Sequence, residues 1–310
     1  MTRGPINPET AMRARDWLLL VILSVLWGGT FFFVGVAVKE IPPLTLVLAR
    51  LAIAGAVLAP LVYLIGHRLP TDLAAWRDFA IMAVVNNILP FSLIFYGQTQ
   101  IESGLASVLN ATTPLMGLLV LRFVAGEAMS ANKLAGVLVG LAGVAVLIGP
   151  DLGAASANSV LGMLACLGGA LSYGFSSLWG RRMSAFHPLV TSAAQLLCST
   201  AIMLPIAAVV DRFWLLAPPS WPAITATLAL ALASTALAYV IFFRIMASAG
   251  PANVMLVTLL IPISAIGLGS AFLGEALSLR QIAGALVIAS GLILIDGRWM
   301  AAKPSHAHPS

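Results

Sequence analysis

Residues 114–143 read PLMGLLVLRFVAGEAMSANKLAGVLVGLAG, and residues 262–291 read PISAIGLGSAFLGEALSLRQIAGALVIASG. Laid one over the other, Pro114 meets Pro262, Gly126–Glu127–Ala128 meets Gly274–Glu275–Ala276, and Ser130 meets Ser278. Gly136 then meets Gly284 and Gly143 meets Gly291, all 148 residues apart. Further upstream, Trp27–Gly28 meets Tyr173–Gly174 at an offset of 146, so one connection differs by two residues. Gly-Glu-Ala alone would be chance. Held in register with a proline and further glycines, it reads as duplication of half the chain.

The surroundings of the repeat are apolar. Of 310 residues 60% are hydrophobic and 9% charged, with a mean hydropathy of +1.02. A soluble domain carries about 25% charged residues because its surface must face water. That deficit excludes a cytosolic enzyme, a secreted disulfide scaffold and a disordered chain. The pI near 9.7 would raise nucleic acid as a partner, yet the 16 basic residues are spread thinly and form no patch, so no nucleic-acid binding is expected.

A helix crosses the hydrocarbon with about 20 apolar residues. Such runs occupy 17–38, 44–66, 79–97, 104–124, 134–148, 160–180, 189–210, 224–245, 252–273 and 282–295. The expected fold is an all-α polytopic membrane protein of ten transmembrane helices, in two inverted five-helix repeats around a central cavity. The units are 17–149 and 150–296, between cytoplasmic tails at 1–16 and 297–310. A cleaved signal peptide is not expected, since the first apolar run is too long for one and follows mostly polar residues. Cys166 and Cys198 fall inside spans and read as buried free thiols.

Lys and Arg set the orientation. With the N-terminus cytoplasmic, the inner segments hold Arg3, Arg13, Arg15, Arg68, Arg77, Arg122, Lys133, Arg181, Arg182, Arg244, Arg298 and Lys303. The outer segments hold only Lys39, Arg212 and Arg280. Five spans per unit invert the second unit, so Glu127 falls inside and Glu275 outside. Inverted repeats give secondary transporters two pseudo-symmetric states around a midplane site, which makes transport the leading class.

The five-plus-five arrangement, the Trp-Gly of the first span and the paired Pro-then-Gly-Glu-Ala segments resemble the EamA family of the drug/metabolite transporter superfamily. The resemblance covers the ten spans and says little about substrate. It implies that the first four helices of each half line a central cavity while the fifth and tenth pack peripherally. It also implies a bacterial metabolite exporter, with exporters of aromatic amino acids among the family's members.

Polar groups inside a membrane are costly and face the bundle or a cavity. The candidate substrate-binding residues are Trp27 and Thr30 in the first span, Asn86 and Asn87 in the third, and Asn110 in the fourth. Ser172 and Tyr173 follow in the sixth, with Ser234 and Tyr239 in the eighth. Each has a bland alternative: hydroxyls bond to their own helix, and Trp27 and Tyr173 also suit core packing. At least one of the two adjacent amides should face water or solute. Pro114 and Pro262 are hinge candidates or static kinks. Gly136 and Gly140 suggest close helix packing. Glu127 and Glu275 could cap a following helix or pair with Lys133 and Arg280. Arg50 could attract a carboxylate in an outer vestibule, snorkel to the interface, or bond to carbonyls.

All eleven acids and all four histidines lie in tails, loops or span ends. Proton-driven carriers titrate such groups near the site, so facilitated movement without obligatory proton coupling is expected. The absence of an acid from the first span argues against organic cations, and a lone deep Arg argues against phosphorylated sugars. Small neutral or zwitterionic metabolites remain, amino acids first. A proton-coupled efflux carrier is the alternative. A membrane-embedded transferase is the alternative of another class, which no acid or His cluster favours. No enzyme activity, cofactor or metal is expected. The expected partners are the solute and the lipid bilayer, and the expected state is a monomer in the inner membrane.

Overall fold

The computed structural model describes residues 12–148 and 157–296. The sequence readings at Arg3, Glu9, Asp151, Arg298, Lys303, His306 and His308, with most of both tails, lie outside these described residues. Ten apolar helices follow one another among the described residues: α1 Ala14–Ala37, α2 Pro43–Leu64, α3 Leu73–Gly97, α4 Ser103–Phe123, α5 Ala131–Ile148, α6 Asn158–Ala185, α7 Pro188–Val210, α8 Trp221–Ala249, α9 Val257–Leu273 and α10 Leu279–Asp296. Among the described residues all but α9 reach the length and hydropathy of a bilayer span, and α9 is lengthened by a preceding turn, Pro251–Val254. Pro43, Pro188 and Pro222 sit in first turns, where the missing N–H has no intrahelical partner to lose. Leu18, Phe123, Val209, Leu279 and Leu286 point outward, as a lipid-facing surface requires.

The repeat seen in the sequence recurs as paired contacts. A Cβ added to Gly28 would stand 2.6 Å from the Ser264 Cβ, and one added to Gly174 would stand 3.0 Å from the Met116 carbonyl carbon. Gly28 and Gly174 are repeat mates, and so are Ser264 and Met116. Thus α1 rests on α9 as α6 rests on α4. The α5–α10 pair obeys the same exchange: Gly136 faces Gly291, while Gly143 faces Gly284. Glycine is required there because the opposing atoms are backbone carbonyls, within 2.6 and 2.9 Å of an added Cβ. Small residues permit this approach, and dispersion across the contact replaces the hydrophobic drive that is absent in lipid.

Two helices change winding at equivalent places. Residues Val84–Ile88 of α3 and Leu232–Leu237 of α8 form π-turns, and 84 and 232 differ by the repeat offset. A π-turn inserts a residue and rotates the side chains that follow it, a feature that occurs often at functional sites. The two hinge candidates differ. In α4 the helix breaks at Ala111–Thr112, just before Pro114, whereas Pro262 sits within the continuous run Val257–Leu268.

Candidate functional site

A central cavity of about 890 Å³ opens between the two units, within the usual range for small-molecule sites. Its walls come from α1, α2, α3, α4, α6, α7, α8 and the α9 segment, while α5 and α10 contribute nothing. Trp27, Thr30, Asn86, Asn110, Tyr173 and Tyr239 all line it, as do Pro114 and Arg50. Trp27 packs on Phe242 with ring centroids 5.3 Å apart, giving one wall an aromatic face.

Three candidates stand away from the cavity. Asn87 is fully buried and donates through Nδ2 to the Ser199 Oγ at 2.9 Å, holding α3 to α7. Ser172 donates to the Val85 carbonyl at 2.7 Å, tying α6 to the π-turn. The Ser234 hydroxyl is buried beside Gly29 and has no hydrogen-bond partner among the described residues. The π-turn explains the split between neighbours: Asn86 reaches the cavity, and Asn87 turns into the helix contact. Pro262 also lies outside the lining.

Gln195 is a lining residue that the sequence reading passed over. It accepts from the Asn86 Nδ2 at 3.3 Å, and its backbone carbonyl accepts from Ser199 at 2.6 Å. A glutamine in the middle of an apolar run was the available signal. Thr112, Thr113 and Thr258 donate to carbonyls three residues earlier in their own chain, so their hydroxyls are satisfied locally.

Arg50 neither snorkels outward nor bonds to a carbonyl. It is 5% exposed, donates through Nε to the Thr235 Oγ1 at 2.9 Å, and lays its guanidinium over Phe91 at 3.9 Å from the ring centroid. Phe95 lies at 5.8 Å. Cation–π contact of this kind contributes about 0.5–2 kcal/mol, well short of the several kcal/mol that burying an ion costs. Among the described residues no carboxylate pairs with it.

The two ends of the cavity differ. Its lining reaches the end of α6 at Gly180 and Ser184, the α6–α7 connection at Phe186, and Met255 just before α9. At the opposite end, carboxylates of one unit bind helix starts of the other. Glu275 accepts from the Ser103 and Gly104 N–H at 3.0 and 3.1 Å, and Glu40 accepts from the Ser220 N–H and Oγ at 2.7 and 2.6 Å. Asp211 accepts from the Thr45 N–H and Oγ1 at 2.7 and 2.8 Å. Carboxylates are favoured at helix N-termini by the free N–H groups and the dipole. The bonds from Ser220 hold the Glu40 carboxyl below its ordinary range. Beside them, Gln98 donates to the Phe31 carbonyl at 2.8 Å and closes α3 onto α1. The expected partners of the two glutamates are therefore corrected. Glu275 binds the start of α4 instead of Arg280 or a following helix. Glu127 pairs with Arg181 at 2.5 Å instead of Lys133, and that contact lowers its carboxyl.

Glu102 stands next to this closed end. Desolvation, then the nearby Glu275 charge, raise its carboxyl above the ordinary value. A carboxyl raised on folding costs stability while ionised, and the cost disappears as pH falls through the raised value. Glu102→Gln should therefore raise the melting temperature at pH 8, through a stability gain of less than about 1 kcal/mol for so exposed a group. The gain should shrink toward pH 4.5. A gain that does not change with pH would contradict the assignment.

The family model for the EamA-like transporter family matches residues 16–149 and again 160–296. The chain is 29% identical over 297 residues to "Uncharacterized transporter YvbV" of Bacillus subtilis (strain 168), covering 94% of each. It is 28% identical over 288 residues to "Uncharacterized inner membrane transporter YedA" of Escherichia coli (strain K12), covering 92% of each. "Protein PecM" of Dickeya dadantii (strain 3937) is 26% identical over 276 residues, 87% of this chain and 88% of that one. A solved crystal structure aligns with a TM-score of 0.64 over 94% of this chain and 100% of the other, at 22% identity, a likeness of fold alone. Two matched units, eight cavity-lining helices and relatives named as transporters along nearly their whole length lead to one conclusion: the chain belongs to the EamA-like transporter family, as a multi-pass membrane transporter.

Proposed function

We propose that the protein is an alternating-access carrier that exports small zwitterionic or neutral metabolites, amino acids first and aromatic ones among them. The observation that carries this reading is the central cavity lined by both units, open at one end and bonded shut at the other. The Lys and Arg distribution supports placing the open end, with Arg181 and Arg182, in the cytoplasm together with both termini. On this reading the cavity faces the cytoplasm and the protein sits in a bacterial inner membrane.

Inverted symmetry supplies the other state. In the outward-open form, Glu275 leaves Ser103 and Gly104, while its repeat mate Glu127 leaves Arg181 and meets the start of the α9 segment near Ala252. The described lining holds no Asp, Glu, Lys or His, which supports movement driven by the solute gradient instead of by protons. Aromatic walls at Trp27, Tyr173 and Phe242, with amides at Asn86, Asn110 and Gln195, suit a solute with an apolar body and hydrogen-bonding groups.

Uptake of a panel of labelled amino acids into proteoliposomes tests the substrate class. Trp27→Ala should weaken uptake by about tenfold or more, the range for removing an aromatic anchor. Asn86→Ala should weaken it less, because Gln195 remains. If no amino acid is taken up, the substrate assignment fails while family membership stands. If a pH gradient alone drives accumulation, the facilitated reading fails.

A further inference from the structure

We infer that Arg50 is the anchor for a carboxylate on the transported solute, so that the cavity selects organic carboxylates with an apolar or aromatic body. This rests on the carrier reading and adds the group by which the solute is recognised. The only protein hydrogen bond of the guanidinium is the one from Nε to Thr235, and its remaining four N–H groups have no protein acceptor among the described residues. They are not sealed away either, since Arg50 belongs to the cavity wall. It is the one charged side chain among the described lining residues, which otherwise offer aromatic rings, aliphatic chains, hydroxyls and amides. A planar fork with free donors at the cavity wall matches a carboxylate by two parallel bonds.

The inverted repeat argues that this charge is surplus to the fold. Asn87 and Thr235 are repeat mates, 148 residues apart and both in a π-turn. Asn87 is held from α7 by Ser199, and Thr235 is held from α2 by Arg50. Positions 50 and 199 differ by 149, within one residue of the repeat offset. One copy of this helix contact is made by a neutral hydroxyl, and the other by a buried cation. A hydroxyl holds the π-turn without the penalty of burying charge, so the fold alone does not call for arginine. Phe91 places the guanidinium plane by stacking, and Tyr173 and Tyr239 are its electrostatic neighbours. Both tyrosines also line the cavity. The described lining residues include no carboxylate that would pair with an ammonium, whereas Arg50 offers a partner for a carboxylate.

The test uses the full-length chain in nanodiscs, titrated calorimetrically with 3-phenylpropionate, 3-phenylpropanamide and 2-phenylethylamine, and with L-phenylalanine, L-leucine and 4-methylvalerate. The carboxylates should bind, and the amide and amine should bind about 30-fold more weakly or not at all, the scale for leaving a buried charge unpaired. Arg50→Gln should abolish the preference for 3-phenylpropionate over its amide. Arg50→Lys should keep a reduced preference, having charge without the fork. The wild-type series stands even if a variant misfolds, and melting curves show which variants remain folded. Equal binding of acid and amide, an unchanged preference in folded Arg50→Gln, or no binding by any carboxylate would each overturn the proposal. Carboxylate-selective binding without saturable transport leaves the anchor intact and removes the carrier reading. Saturable transport without carboxylate preference does the reverse.

Discussion

Glu275→Ala opens the far end of the cavity. The carboxylate accepts two backbone N–H bonds at the start of α4, at 3.0 and 3.1 Å, and belongs to the opposite unit. Removing it leaves both donors free and a helix start without its cap, a loss of about 1–2 kcal/mol. Such a loss falls on the closed arrangement and not on one in which α4 has already moved away. The balance between the two states then shifts by about 5- to 30-fold. Spin labels at Lys39 and Thr99, on two connections at that end, should report a longer distance population in the variant. Glu275→Gln should lie between, because an amide keeps one acceptor oxygen and loses the charge. An unchanged distance distribution in Glu275→Ala would show that Glu40 and Asp211 close that end without it.

Gly28→Leu has the largest expected effect on folding. An added Cβ at Gly28 meets the Ser264 Cβ at 2.6 Å, the Ala265 amide nitrogen at 2.9 Å and the Ile261 carbonyl oxygen at 3.0 Å. Two of these are backbone atoms of α9, so no rotamer change relieves the clash and the helices must separate. Separation also breaks the hydroxyl contact between Ser24 and Ser264, 3.2 Å apart. Overpacking of a tight contact costs about 1–3 kcal/mol, and leucine adds further bulk against a buried face. The melting temperature should fall, and monodisperse protein after detergent extraction should largely disappear. At Gly267 an added Cβ meets nothing within 4 Å, so Gly267→Ala serves as the control and should leave stability near the parent's. Equal behaviour of the two variants would contradict the packing account.

The sequence carried the helices and their duplication well, because long apolar runs and a constant offset are local properties. It carried the cavity less completely. Its uniformly apolar spans show no amphipathic stripe, so which side of a helix faces the path was not legible from periodicity. The π-turns make this worse at the residues of interest. Asn86 and Asn87 look equivalent in a list of polar groups, yet one faces the cavity and the other bonds to Ser199. Ser234 and Thr235 divide similarly: Thr235 holds Arg50, and Ser234 lies buried near Gly29. Gln195 was visible in the sequence but isolated, and only its contact with Asn86 gives it meaning. The glutamate partners were illegible for a different reason. Lys133 and Arg280 are close in sequence, whereas Arg181 and the start of α4 come close only through the packing of one unit on the other.

Arg50 shows the same limit from the other side. Its depth could be counted from the start of its span, and its charge was plain. Its neighbours Phe91 and Thr235 lie 41 and 185 residues away in the chain. Only the assembled bundle shows that the cation points at the path instead of the interface.

Counterflow tests the central claim most directly. Proteoliposomes holding the purified chain are loaded with excess unlabelled L-phenylalanine, L-leucine or 3-phenylpropionate, then diluted into a trace of the same labelled solute. A carrier whose single site faces one side at a time should give a transient overshoot of label inside. The overshoot should saturate with solute and be lost in Glu275→Ala if return to the closed state limits the cycle. Label that only equilibrates, with no overshoot for any of the three solutes and a flux that rises linearly with concentration, would contradict alternating access.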